Sequence, residues 1–177
     1  MNTASTDEPE HTAKMENLYL RPETKEDHAF LEALHRLTRP DLLQLGLPQD
    51  LLDSMLEMQF RAQRSSYRQE FPQSENYVIE LDGVAVGSLL KHVDETAIRL
   101  IYIALLPEVR GKGYGRHLVS ELQRETTASG KSLLLSVDPF NVPARSLYLS
   151  LGFGIGRQDG PNVEMFWPTG GNTANCS

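Results

Sequence analysis

The chain has a single cysteine, Cys176, so it can form neither an intrachain disulfide nor a cysteine-built metal site. That thiol stands next to the last residue, without the fixed electropositive pocket that a nucleophile needs. Long apolar runs are also missing. Nothing approaches the ~18 residues of a membrane-spanning helix, and Met1 to Glu16 has no apolar centre of the kind a signal peptide carries. These absences predict a cytoplasmic protein. Positive charge is scarce too: 17 Lys and Arg face 24 Asp and Glu, for a net charge of −7. Such a balance argues against a general nucleic-acid or membrane surface, so an anionic ligand must be held by a local basic cluster. No metal site and no internal repeat is evident.

What is present fits one domain of 177 residues with a hydrophobic fraction of 40%. Residues 1–16 read as a disordered leader and 168–177 as a flexible tail, leaving 17–167 as the folded domain. Asn17 to Arg21 reads as a strand. Thr24 then suits a helix N-cap, with Glu26 and Asp27 complementing the dipole. Phe30, Leu31, Leu34 and Leu37 continue at helical spacing. Pro40, Gly46 and Pro48 mark a break, and a second helix runs from Gln49 to Gln69. Tyr77 to Leu81 and Val84 to Lys91 flank Asp82-Gly83, a tight-turn pair. Ala97 to Leu106 is apolar on both alternating faces, as in a strand covered on both sides. A helix follows from Gly113 to Gly130, then a strand from Lys131 to Val137. Asn141 caps a further helix with Pro143 in its first turn and Gly152 at its end. Phe153 to Arg157 and Val163 to Trp167 complete the set. The order β-α-α-β-β-β-α-β-α-β-β predicts an α/β fold with one mixed sheet and helices on both faces.

Between the covered strand and its helix lies Arg110-Gly111-Lys112-Gly113-Tyr114-Gly115-Arg116. Glycines let backbone amides approach a ligand, a helix N-terminus adds a positive dipole end, and Arg110, Lys112 and Arg116 add charge. By composition this is a pyrophosphate cradle, although a solvated glycine-rich turn has the same residues. The Walker A pattern is missing. The glycines run G-x-G-x-G and start after Pro107 to Arg110, unlike the dinucleotide fingerprint G-x-G-x-x-G at a strand end.

The loop resembles the cofactor motif [RQ]-x-x-G-x-[GA] of the GNAT superfamily of N-acetyltransferases, through Arg110, Gly113 and Gly115. Asn141, Ala144, Leu147 and Tyr148, then Gly152 and Phe153, are similar to that family's N-x-x-A-x-x-L-Y-x-x-x-G-F. Arg21-Pro22 and Glu26-Asp27 resemble its first strand and helix. The resemblance implies a mostly antiparallel twisted sheet with a splayed central strand, and acetyl-CoA as co-substrate. It implies that Ile103, Ala104 and Leu105 offer backbone groups to the pantetheine arm. It gives Gly111, Lys112, Gly113, Tyr114, Gly115 and Arg116, with Arg110, to the pyrophosphate, and Asn141 to the pantetheine end. A strand splaying near Pro107 would leave unpaired backbone groups for an amide-rich ligand to satisfy. Asn141 also works as a plain helix cap.

Acyl transfer from a thioester needs a neutral amine, a stabilised oxyanion and a protonated leaving thiolate. The resemblance assigns the last task to Tyr148, although that residue shares a helical stripe with Ala144, Leu147 and Leu151, and packing alone accounts for it. No general base is assigned. Where many relatives place a glutamate on the strand before the asparagine, this chain has Ser136. Glu108 reads as solvated, Asp138 as part of a turn, and His92 as a surface residue. Gln59, Gln63 and Tyr67 share one helix face at i, i+4 and i+8. Together with mid-strand Tyr102, they are expected to line an acceptor pocket beside Met55 and Phe60, although a partly exposed helix flank has the same pattern. The expected acceptor is a primary amine of a small molecule or peptide. The alternative is an acyl-CoA-binding sensor without turnover. The apolar last strand predicts an open sheet edge and a homodimer.

Overall fold

The computed structural model describes residues 17–168, so the expected leader and the expected tail after Pro168 lie outside the described residues. The chain runs β1 (Leu18–Pro22), a 3-10 turn (Lys25–Asp27), α1 (His28–Leu37), α2 (Pro40–Leu43), α3 (Gln49–Glu70), β2 (Glu75–Leu81), β3 (Val84–Val93) and β4 (Ala97–Leu105). A second 3-10 turn (Pro107–Val109) leads to α4 (Tyr114–Ser129), β5 (Ser132–Val137), α5 (Val142–Ser150), β6 (Gly154–Asp159) and β7 (Asn162–Trp167). The strands form one seven-stranded sheet in the order β1-β2-β3-β4-β5-β7-β6. Only β4 and β5 pair in parallel, across the α4 crossover that a parallel connection requires.

Local chemistry sets most boundaries. Asp82 and Gly83 both have positive φ, 53° and 78°, which builds the turn between β2 and β3. Asp27 does more than face a helix dipole. Both its oxygens take 2.7 Å bonds from Arg21, and Oδ2 also accepts from the Thr24 amide at 2.8 Å. Those donors, Arg21 foremost, hold its carboxyl well below the usual range. The ion pair fastens the 3-10 turn before α1 to β1. The break at Pro40 is itself a four-residue helix, α2, which Pro40 starts without losing a needed donor.

Both sheet faces are covered. Neighbouring Leu89 and Leu90 of β3 are each buried, though successive strand residues point to opposite faces. On one face Leu89, Leu100, Leu133 and Met165 pack with Leu118, Val119 and Leu122 of α4. Each such fully buried side chain contributes roughly 1.5–3 kcal/mol. On the other face, α1 and α3 cover β3 and enclose a cavity. Lys91, itself buried, ties β3 to α4 by bonds of 2.7 Å to both Glu125 oxygens.

The last strand corrects one expectation. β7 lies between β5 and β6, pairing with both, so the sheet edges are β1 and β6. Met165 of β7 is fully buried. The homodimer expected through this strand therefore loses the open edge on which it rested.

Candidate active site

The sheet opens between β4 and β5. Their parallel ladder runs from Ala97↔Ser132 to Leu100↔Leu135 and stops there. Opposite β3, the register jumps from Leu90↔Tyr102 to Lys91↔Leu100, leaving Ile101 as an extra residue. A bulge bends a strand and raises its twist, so β4 turns away from β5 at Ile101. The splay begins well before Pro107, where the sequence suggested it. Ile103, Ala104 and Leu105 keep Leu89, Ser88 and Gly87 of β3 as partners, and no β5 residue pairs with them. This unfilled ladder suits an extended ligand carrying amides.

The glycine loop closes one end of the opening. Gly111 and Gly113 have φ of 72° and 88°, a region L side chains avoid, and a Cβ at Gly111 would meet open space. Gly113 leads into the 16-residue α4, whose first turn has no side-chain cap. Its leading amides thus face outward at the positive dipole end, which suits an anion. The loop's side chains divide their work. Lys112 is exposed and has no partner among the described residues. Arg110 donates from Nε to the Leu105 carbonyl at 2.7 Å, and Arg116 donates to Ser150 Oγ at 2.6 Å, so both also brace the loop. Tyr114 differs from the expectation: its ring is buried in the core, leaving its backbone for the loop. Asn141 caps α5, with Oδ1 accepting from the Ala144 amide at 3.3 Å.

Tyr148 is 6% exposed and its ring meets Phe153 at 5.6 Å. Its hydroxyl has no hydrogen-bond partner among the described residues, yet it is not one of the sealed, unpaired polar atoms. The little exposure Tyr148 keeps therefore includes that oxygen. Burial pushes the phenol up to about 12, so it holds its proton at neutral pH. The other residues weighed as bases stay in structural roles. Asp138 accepts from the Phe140 amide at 2.8 Å in a turn, and Glu108 is exposed. His92 differs from its expected surface position, being half-buried against Phe71 at 5.5 Å.

A cavity of about 140 Å³ lies between α1, α3 and the sheet. Gln63, Tyr67 and Tyr102 line it as expected, with the two tyrosine rings 6.3 Å apart. Burial raises both phenols, Tyr102 to about 12. Gln59 is a correction: its amide accepts from Arg39, away from the cavity. Met55 packs with Leu42, Leu52 and Leu56 instead. Phe60 does line the cavity, and so do His35, Arg64, Arg68, Asn76 and Ser88, which sequence reasoning missed.

His35 is 4% exposed, lies 5.5 Å from Phe60, and has neither ring nitrogen paired. Burial first, and then Arg39, lower its pKa, and nearby Gln63 offsets part of this. The folded state thus favours neutral imidazole. Below pH ~6.5 the unfolded chain takes up a proton that the folded chain resists, so stability falls as pH drops through that value. Thermal unfolding at pH 7.5 and 5.5 should show a larger acid loss for the wild type than for His35→Leu. Equal losses would remove His35 as the cause.

The sequence model of the Acetyltransferase (GNAT) family matches residues 45–153. The chain belongs to the GNAT acetyltransferase family. No curated protein matches it significantly. Among solved structures, this GNAT chain is similar to the PaiA N-acetyltransferase of Thermoplasma acidophilum in complex with coenzyme A. That likeness has 18% identity and a TM-score of 0.63, over 84% of this chain and 97% of the other. An acetyltransferase from Thermus thermophilus is 20% identical with a TM-score of 0.62, over 85% and 95% of the two chains. A GNAT family acetyltransferase from Elizabethkingia anophelis with acetyl-CoA bound is 15% identical with a TM-score of 0.54, over 85% and 95%. These likenesses establish the GNAT fold. No helix among the described residues is long and apolar enough to cross a membrane.

Proposed function

We propose that this protein moves an acetyl group directly from acetyl-CoA to a primary amine of a small molecule or peptide, in the cytoplasm. The opening between β4 and β5 carries the reading. It offers a strand edge at Ile103 to Leu105 that no β5 residue fills, with a left-handed glycine pair and an uncapped helix start at one end, and α5 adds the protonated Tyr148 phenol with an unbonded hydroxyl. These residues fit the cofactor: strand edge for the pantetheine amides, Gly111 to Arg116 for the pyrophosphate. When bound, acetyl-CoA supplies the activated acetyl group. The chain's own part is to orient the thioester along β4, to offer a backbone amide to the developing oxyanion, and to donate the Tyr148 proton to the departing sulfur. The amine enters from the cavity under α1 and α3, whose Tyr102 is the neighbour of Ile103 on β4.

Acetyl-CoA should raise the melting temperature by mass action, with NADH or ATP doing less at equal concentration. CoA release is then measured over a panel of amines and peptides. A larger shift with NADH would sink the cofactor assignment. A strong acetyl-CoA shift without turnover of any acceptor would favour the acyl-CoA sensor.

A further inference from the structure

We infer that the acceptor carries an anionic group, a carboxylate or a phosphate, on the same small molecule as its amine. The inference rests on the acetyltransferase reading and adds the acceptor's chemistry. The cavity is lined by two arginines, Arg64 and Arg68, and by no aspartate or glutamate, in a protein whose net charge is −7. Glu23, the acid beside Arg64, is engaged by it, and Glu70, whose charge reaches Tyr67, stands exposed at the end of α3 outside the lining. Arg64 also sits over the Phe60 ring at 5.6 Å, which fixes it in the wall. Arg68 is exposed at the rim and has no carboxylate partner among the described residues. A cationic acceptor without an acid of its own would meet repulsion there, whereas a planar guanidinium receives a carboxylate or phosphate in two parallel bonds.

The sheet side of the cavity offers neutral polar groups. Ser88 is 7% exposed, and its hydroxyl is unpaired among the described residues yet not sealed. It therefore opens into the cavity it lines, and it pairs in the sheet with Ala104, on the strand edge given to the cofactor. An amine held by Ser88 and Tyr102 on the sheet side would turn its acidic group toward Arg68. The volume of about 140 Å³ compares with an apolar cavity of about 150 Å³ that holds benzene, so one modest side chain fits.

The test uses the full chain with L-leucine, L-methionine and L-phenylalanine, their amides, O-phosphoethanolamine and spermidine. CoA release gives KM for each, and calorimetry without acetyl-CoA gives binding. An acid is expected to show a KM at least ~10-fold below its amide, with phosphoethanolamine telling phosphate from carboxylate. Arg68→Met should erase that ratio and Arg68→Lys restore part of it, with the acetyl-CoA melting shift monitoring the fold. Turnover of spermidine or the amides as well as the acids overturns the anionic acceptor and keeps the acetyltransferase. Calorimetric binding of acids that Arg68→Met removes, without CoA release from any amine, overturns the transferase reading and keeps the cavity's preference. Neither binding nor turnover of any anionic compound overturns the inference.

Discussion

Tyr148→Phe is expected to fold normally, bind acetyl-CoA as the wild type does, and turn over roughly 10²-fold more slowly. The ring is buried against Phe153, so Phe keeps the packing. The hydroxyl has no protein partner among the described residues, so its removal strands no donor or acceptor. Stability should then change by no more than about 1 kcal/mol. The raised phenol also shapes the pH profile. With its pKa near about 12, Tyr148 does not ionise in the ordinary assay range. The rate should instead climb with pH as the acceptor amine, with a pKa near ~10 for an alkylamine, loses its proton. Unchanged turnover by Tyr148→Phe would refute the acid role and leave the thiolate to solvent.

Gly113→Asp should remove most acetyl-CoA binding while the chain still folds. Gly113 is left-handed at φ 88°, and Asp is among the few residues that visit this region, at a cost of roughly 1–2 kcal/mol. A carboxylate about 5 Å from a pyrophosphate, at an effective dielectric near 20, opposes binding by about 3 kcal/mol, or roughly 10²-fold. Gly113→Asn separates charge from bulk, because its side chain has the same shape without the charge. Calorimetric titration of the three proteins reads the difference. Equal affinity of Gly113→Asp and the wild type would move the pyrophosphate off this loop.

The parts of the molecule that are legible in its sequence are those fixed by neighbouring residues. Asp82-Gly83 dictates its turn, Asn141 and Pro143 start α5, and Gly113 and Gly130 bracket α4, because backbone sterics and orphan amides act locally. Strand order is a long-range property. The apolar run Val163 to Trp167 reads as an edge, though β6, with Gly154, Gly156, Arg157 and Gln158, has the polar, glycine-rich composition that edges favour. The cavity under α1 and α3 is half visible. Gln63 and Tyr67 follow from helix periodicity, but Gln59 on the same stripe is taken by Arg39, which lies twenty positions away along the chain. Ser88, alone among apolar neighbours on β3, and His35, beside Leu31 and Leu34, are the signals that point to the rest. Which cavity they face depends on how α1 and α3 fold over the sheet.

The opening between β4 and β5 also divides the sheet into two leaves. Strands β1 to β4 form one and β5 to β7 the other, and among the described residues their shared ladder runs only from Ala97 to Leu100, with α4 packed across both. Beyond the bulge at Ile101 no ladder between β4 and β5 sets the spacing of the leaves. Ser88 and Tyr102 ride on the first leaf. Tyr148, on the helix that links β5 to β6, rides with the second. On the proposed reading, the spacing of the leaves would set the separation of Tyr148 from the acceptor. A ligand seated along β4 would then act as a wedge, so the molecule proposed to deliver the acetyl group would also set the gap across which it is transferred.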